Sequence, residues 1–157
     1  MATVSTNGAK IYYESQGVGP TVAFAHGRGG NAASWWQQIP TFSRRYRTIV
    51  FDHRIFGRSR CAPEDFDRSL FDTDLLAILD AEGIDKTAII CQSMGGWTGL
   101  RTAVLHPERV SCLILSNTPG GMNIPAVTAA LTGSRREFAE RGVGTAAVAD
   151  GFPERNP

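Results

Sequence analysis

Four short apolar runs, Thr21 to Ala25, Arg47 to Phe51, Thr87 to Cys91 and Val110 to Leu115, punctuate the chain at intervals filled by segments of helical character. Each run is continuously apolar over most of its length rather than alternating. That pattern is expected of strands buried on both faces of a sheet. Between them, Trp35 to about Arg44 reads as a helix that Ser34 can cap. Phe71, Leu75, Ile78 and Leu79 fall at i, i+4, i+7 and i+8, one apolar stripe, with Gly83 as its stop signal. Met94 to Leu105 reads as a third helix, closed by His106-Pro107. Strand and helix therefore alternate, with connections long enough for crossovers, and the fold class expected is α/β: a mostly parallel sheet covered by helices through right-handed connections. Ahead of it, V-S-T-N-G-A-K-I-Y-Y-E places Asn7-Gly8 between two β-prone runs, the strongest short hairpin signal. A long loop, D-H-R-I-F-G-R-S, leaves the second apolar run and continues to about Asp67.

With 157 residues, 42% of them hydrophobic and 20% charged, the chain can bury a real core. Its net charge of +1 offers nothing to nucleic acid or to an anionic membrane, so a neutral or small partner fits better. No apolar stretch approaches the roughly 20 residues that span a bilayer, and the start M-A-T-V-S-T-N-G lacks signal-peptide character, so a cytoplasmic location is expected. Cys61, Cys91 and Cys112 have no metal-ligand spacing and read as structural thiols. G-R-G-G lacks the G-x-G-x-x-G spacing of a dinucleotide site, and no cofactor is expected. From Asn117 onward the pattern changes to P-G-G-M-N-I-P and alanine-rich segments without a clear strand. The expected division is a core over 1–120 and a helical region over 121–157.

The stretch C-Q-S-M-G-G, Cys91 to Gly96, carries the chemistry. It sets Ser93 between the third run and the third helix, at the carboxyl end of a central strand, where open α/β sheets collect their ligands. A sharp strand-to-helix turn at a serine needs small residues two before and two after it, usually as G-x-S-x-G. Gly95 meets the second requirement, and Cys91 replaces the first glycine with a residue that is small but has a Cβ. About 65 residues earlier, H-G-R-G-G closes the first apolar run. Such a loop can aim a backbone N–H at a developing oxyanion, and Met94 N–H, at the helix N-terminus, can supply a second.

Taken in order, the opening hairpin, H-G-R-G-G-N-A-A-S-W, F-D-H-R-I-F-G-R-S and C-Q-S-M-G-G-W resemble the N-terminal half of an α/β-hydrolase fold protein, in the branch of small esterases, enol-lactone hydrolases and cofactor-free haloperoxidases. The resemblance covers about residues 3 to 120. It implies Ser93 as nucleophile and the backbone N–H groups of Arg28 and Met94 as the oxyanion hole. The family loop D-x-R-G-x-G-x-S carries Ile55 here in place of its first glycine, which implies a locally altered turn; Asp52, Arg54 and Ser59 read as loop-fixing residues.

None of the three histidines suits a general base. His26 belongs to the oxyanion loop, and His53 lies beside Asp52 in a position with no catalytic duty in the family. His106 is some 18 Å from Ser93, at ~1.5 Å per helical residue. In the family the acid and histidine follow later in the chain, or the acid follows the fourth apolar run, where S-N-T-P has Asn117 and no carboxylate. The chain thus reads as a hydrolase truncated before the last strands, with 121–157 as the start of a cap. Two functions are expected from different classes. One is a serine hydrolase for a small ester, lactone or related acyl compound, inactive on its own; the other is a non-catalytic binding module for a small molecule or partner. Pairing with a C-terminal fragment, or self-association, is expected at the outer edge of the Val110 strand.

Overall fold

A computed structural model describes residues 1–118, 120, 121, 125 and 129. By contacts the chain divides into Met1–Gly121 and Met122–Pro157, and the architecture below is that of the first unit. The cap expected over 121–157 lies almost wholly outside the described residues.

Strands β1 (Ala2–Thr6) and β2 (Ala9–Gln16) form the expected hairpin, with Thr6 opposite Ala9. Asn7 and Gly8 turn it with φ of +42° and +74°, the two left-handed residues that a type I′ turn requires. The apolar runs become β3 (Thr21–Ala25), β4 (Arg47–Phe51), β6 (Thr87–Gln92) and β7 (Val110–Ser116). A two-residue β5 (Arg60–Cys61), hidden within the long loop, pairs with β2. The sheet runs β1-β2-β4-β3-β6-β7. The β1-β2 and β2-β4 pairs are antiparallel, and β4-β3, β3-β6 and β6-β7 are parallel. The mixed, mostly parallel sheet is the one expected.

Helix α2 (Phe71–Ala81) lays its predicted stripe on one face, where Leu75, Ile78 and Leu79 pack fully buried against Ile11, Ala23, Ile49, Phe51 and Ile89. Each such side chain contributes about 1.5–3 kcal/mol of burial. On the opposite face Val22, Phe24 and Val50 meet Ala32, Trp35, Ile39 and Phe42. Helix α3 (Gly95–Leu105) follows β6.

The helix expected over Trp35 to Arg44 is instead two short pieces, a 3-10 turn at Ala32–Trp35 and α1 (Ile39–Phe42). Pro40 explains the break: lacking an N–H and clashing with the preceding turn, it can only open a helix. The cap is also one turn earlier than expected. Asn31 accepts from Ala33 N (2.8 Å), and Ser34 Oγ accepts from Asn31 N (3.2 Å), so Ser34 closes a capping box rather than starting the helix. At the far edge β7 is flanked by β6 alone among the described residues, leaving Ile114 and Leu115 exposed. No helix among the described residues is long and apolar enough to cross a membrane.

Candidate active site

Ser93 links β6 to α3 with φ of +50°, in the left-handed region that residues with a Cβ seldom occupy. Its N–H donates to Ser116 O (3.2 Å) at the end of β7, and its carbonyl accepts from Gly96 N (3.0 Å) as the helix begins. The small neighbours are there for contact. A Cβ on Gly95 would stand 2.1 Å from Ala25 O, so the helix could not approach the end of β3 with any larger residue. The cysteine that replaces the usual first glycine is accommodated one helical turn further on: Cys91 is fully buried, and its Sγ fills the space where a Cβ on Gly99 would sit, 2.2 Å away. Burial pushes the Cys91 thiol up to about 12, which keeps it a packing group rather than a nucleophile.

The H-G-R-G-G loop leaves β3 directly beside this turn. A Cβ on Gly27 would lie 2.1 Å from Gln92 Oε1 and 3.2 Å from Ser93 Cβ, which places the loop backbone against the serine. His26 anchors it. His53 N–H donates to His26 Nε2 (3.0 Å), so the ring proton is on Nδ1 and donates to Gly27 O (2.7 Å). Burial lowers the His26 pKa, consistent with a neutral ring committed at both nitrogens. Arg28, next in the loop, has an exposed side chain. Met94 is the N-cap residue of α3, without a side-chain cap.

The loop after β4 is structural, as its composition implies. Buried Asp52 accepts from Ala32 N (2.6 Å) and Arg58 N (2.7 Å), tying the 3-10 turn to the loop's far side. Ser59 Oγ donates to Asp52 O (2.6 Å) and accepts from Tyr12 N (2.8 Å). Arg54 is fully buried in a two-point pair with Asp74 of α2 (2.8 and 2.6 Å) and donates to Asp65 O (2.9 Å); the Asp74 carboxylate raises its pKa further. Composition marked Arg54 as a loop-fixing residue without indicating its partner, which lies on a helix 20 residues away. Ile55 has φ of +66°, so the backbone keeps a glycine-like conformation despite the β-branched side chain.

The other two histidines are likewise occupied. His53 is fully buried among the rings of His26, Phe51 and Phe71 (4.4, 4.9 and 4.8 Å between centroids), with Nε2 at 2.7 Å from Thr98 Oγ1 and Nδ1 without a partner. Burial, then the neighbouring His26, lowers its pKa well below the ordinary value. His106 ends α3, its N–H bonded to Thr102 O, with its ring 3.9 Å from Asp72 Oδ2. Among the described residues, no histidine ring is hydrogen-bonded to Ser93, and no cluster of His, Cys, Asp or Glu could hold a metal.

Comparison with known proteins gives a consistent picture. Residues 20–139 match the family described as alpha/beta hydrolase fold. The 2-hydroxy-6-oxo-6-(2'-aminophenyl)hexa-2,4-dienoic acid hydrolase of Metapseudomonas resinovorans is 34% identical over 121 residues, which are 74% of this chain and 42% of that one. Among solved structures, the N-acyl homoserine lactone degrading enzyme Est816 superposes with a TM-score of 0.72 at 30% identity, over 85% of this chain and 53% of its own. A hydrolase from Pseudomonas aeruginosa PA01 reaches a TM-score of 0.75 at 26% identity, over 96% and 57%. The chain thus spans about half the length of the proteins it matches.

Proposed function

The chain belongs to the alpha/beta hydrolase fold family, and on that premise we propose that it carries the nucleophile side of a serine hydrolase site for a small ester, lactone or related acyl substrate. The observation that carries this is the left-handed φ of +50° at Ser93, on a turn between β6 and α3 that Gly95 and Cys91 are sized to permit. Backbone strain of that kind costs on the order of 1–3 kcal/mol and persists where the surroundings over-determine it, typically at functional sites. In the proposed reaction Ser93 Oγ attacks the acyl carbon while its proton passes to a base. The backbone N–H groups of Arg28 and Met94 hold the tetrahedral oxyanion, the leaving group departs, and water releases the acyl group from Ser93. The base and its orienting acid come from outside the described residues. Loss of the base in a hydrolase triad costs on the order of 10⁶ in turnover, so the chain alone is expected to be nearly inert. The same proposal assigns the outer edge of β7, with Ile114 48% and Leu115 40% exposed, to pairing with a strand from the C-terminal part of a hydrolase of this family.

A non-catalytic binding module is the second reading, favoured by the commitment of both His26 ring nitrogens and of His53 Nε2 to internal contacts. Two measurements separate them. With the C-terminal part of a hydrolase of this family added to supply base and acid, incubation with an activated aryl ester followed by intact-mass and peptide mapping should find the acyl group preferentially on Ser93 and lose it in Ser93→Ala; acylation spread evenly over other serines and lysines in the assembled pair would overturn the nucleophile assignment. Steady turnover by the chain alone should change less than tenfold on Ser93→Ala. A rate above about 1 s⁻¹, the low end for ordinary enzymes, that this variant abolishes would place the base within the chain.

A further inference from the structure

The last residue of β7 and the described residues just beyond it hold the backbone of Ser93 from two sides. Ser93 N–H donates to Ser116 O (3.2 Å), and Thr118 Oγ1 donates to the Ser93 carbonyl (2.5 Å). The direction of the second bond follows from chemistry. A carbonyl cannot donate, and Thr118 Oγ1 itself accepts from Gly120 N (2.9 Å), which leaves its proton for Ser93. Between Ser116 and Thr118 the chain turns through Asn117, with φ of +46°. Room for the hydroxyl depends on Gly96, on which a Cβ would stand 2.2 Å from Thr118 Oγ1.

The bonded carbonyl is one end of the peptide unit whose other end is the Met94 N–H. That unit is planar, and its C=O and N–H point in opposite directions. Whatever fixes the Ser93 carbonyl therefore fixes where the Met94 N–H points. Two donors, Thr118 Oγ1 and Gly96 N, converge on that oxygen and also polarise the amide, which strengthens its N–H as a donor. Gly96 N–H is an ordinary element of the helix start, so the additional constraint comes from Thr118.

We propose that Thr118 is a positioning residue, which through the Ser93 carbonyl orients and strengthens the Met94 N–H and holds Ser93 in its left-handed conformation. This rests on the assignment of Met94 N–H to the oxyanion hole, and Thr118 touches neither substrate nor the reacting atoms.

The test uses resonances of the full 157-residue chain and no turnover. Thr118→Val removes the hydroxyl at nearly constant shape, and Thr118→Ser keeps it. The expected result is an upfield move of the Met94 amide proton and loss of the left-handed Cα and Cβ signature of Ser93 in Thr118→Val. Both features should persist in Thr118→Ser, with the resonances of β1 to β4 unchanged in each. Unaltered Met94 and Ser93 signals in Thr118→Val would overturn the proposal. So would equal perturbation by both variants, which would mark a packing effect of the side chain. Should Thr118→Val fail to fold, the wild-type chain decides: a Thr118 hydroxyl proton protected from water exchange is expected, and one in free exchange refutes the bond. Failure of Ser93 to take up an acyl group would count against the nucleophile and leave these shifts to decide Thr118.

Discussion

Acidification from pH 7.5 to 5.5 should destabilise this fold through two buried histidines. His53 is fully buried among aromatic rings and its Nδ1 has no partner, so a proton there would place a charge with no acceptor. His26 is fully buried too, and its Nε2 would have to surrender the bond from His53 N–H to be protonated. Burial depresses both, and their mutual repulsion further opposes charging His53. The unfolded chain titrates these rings near the ordinary value of about 6.5. Below that pH the unfolded state binds more protons than the folded one, so stability rises with pH: it is fully present above about 6.5 and is lost as pH falls toward the folded-state values. At pH 5.5 a ring that stays neutral, as burial favours for His53, costs about 1.4 kcal/mol, a measurable part of a typical 5–15 kcal/mol, and His26 adds to the loss in the same direction. Urea unfolding at pH 7.5, 6.5 and 5.5, at constant ionic strength, measures the loss. His53→Gln should keep a donor toward Thr98 and reduce the acid dependence. Equal stability at pH 7.5 and 5.5, or an undiminished loss in His53→Gln, would refute the reasoning.

Two further substitutions probe the loop after β4. Arg54→Met should lose about 3–5 kcal/mol by stranding buried Asp74, and adding Asp74→Leu should recover most of it; a double variant as unstable as the sum of the singles, by urea midpoint, would deny that the pair acts as a unit. Ile55→Gly should raise the urea midpoint. Relief of about 1–2 kcal/mol of left-handed strain exceeds the roughly 0.5–1 kcal/mol of added glycine entropy, and Ile55 is 48% exposed with little burial to lose; a lower midpoint would show that its side chain packs better than its exposure indicates.

What the sequence determined by itself was whatever a few neighbouring residues decide. Asn7-Gly8 announces its turn because only residues tolerant of positive φ fit there. Phe71, Leu75, Ile78 and Leu79 announce their helix because a period of 3.6 residues can bury them only as a stripe. Ser93 announces its turn through the small residues around it, and the family of the chain is legible in those same motifs. The break at Pro40 was legible too, and the general propensity of its surroundings masked it. Other features depended on the tertiary structure. Insertion of β3 between β4 and β6, the two-residue β5, the pairing of Arg54 with Asp74, and the seating of Cys91 over Gly99 join residues that the sequence separates by up to dozens of positions. No local period or turn chemistry encodes them, because they are set by which surfaces meet once the sheet is covered and by where buried polar groups can find partners.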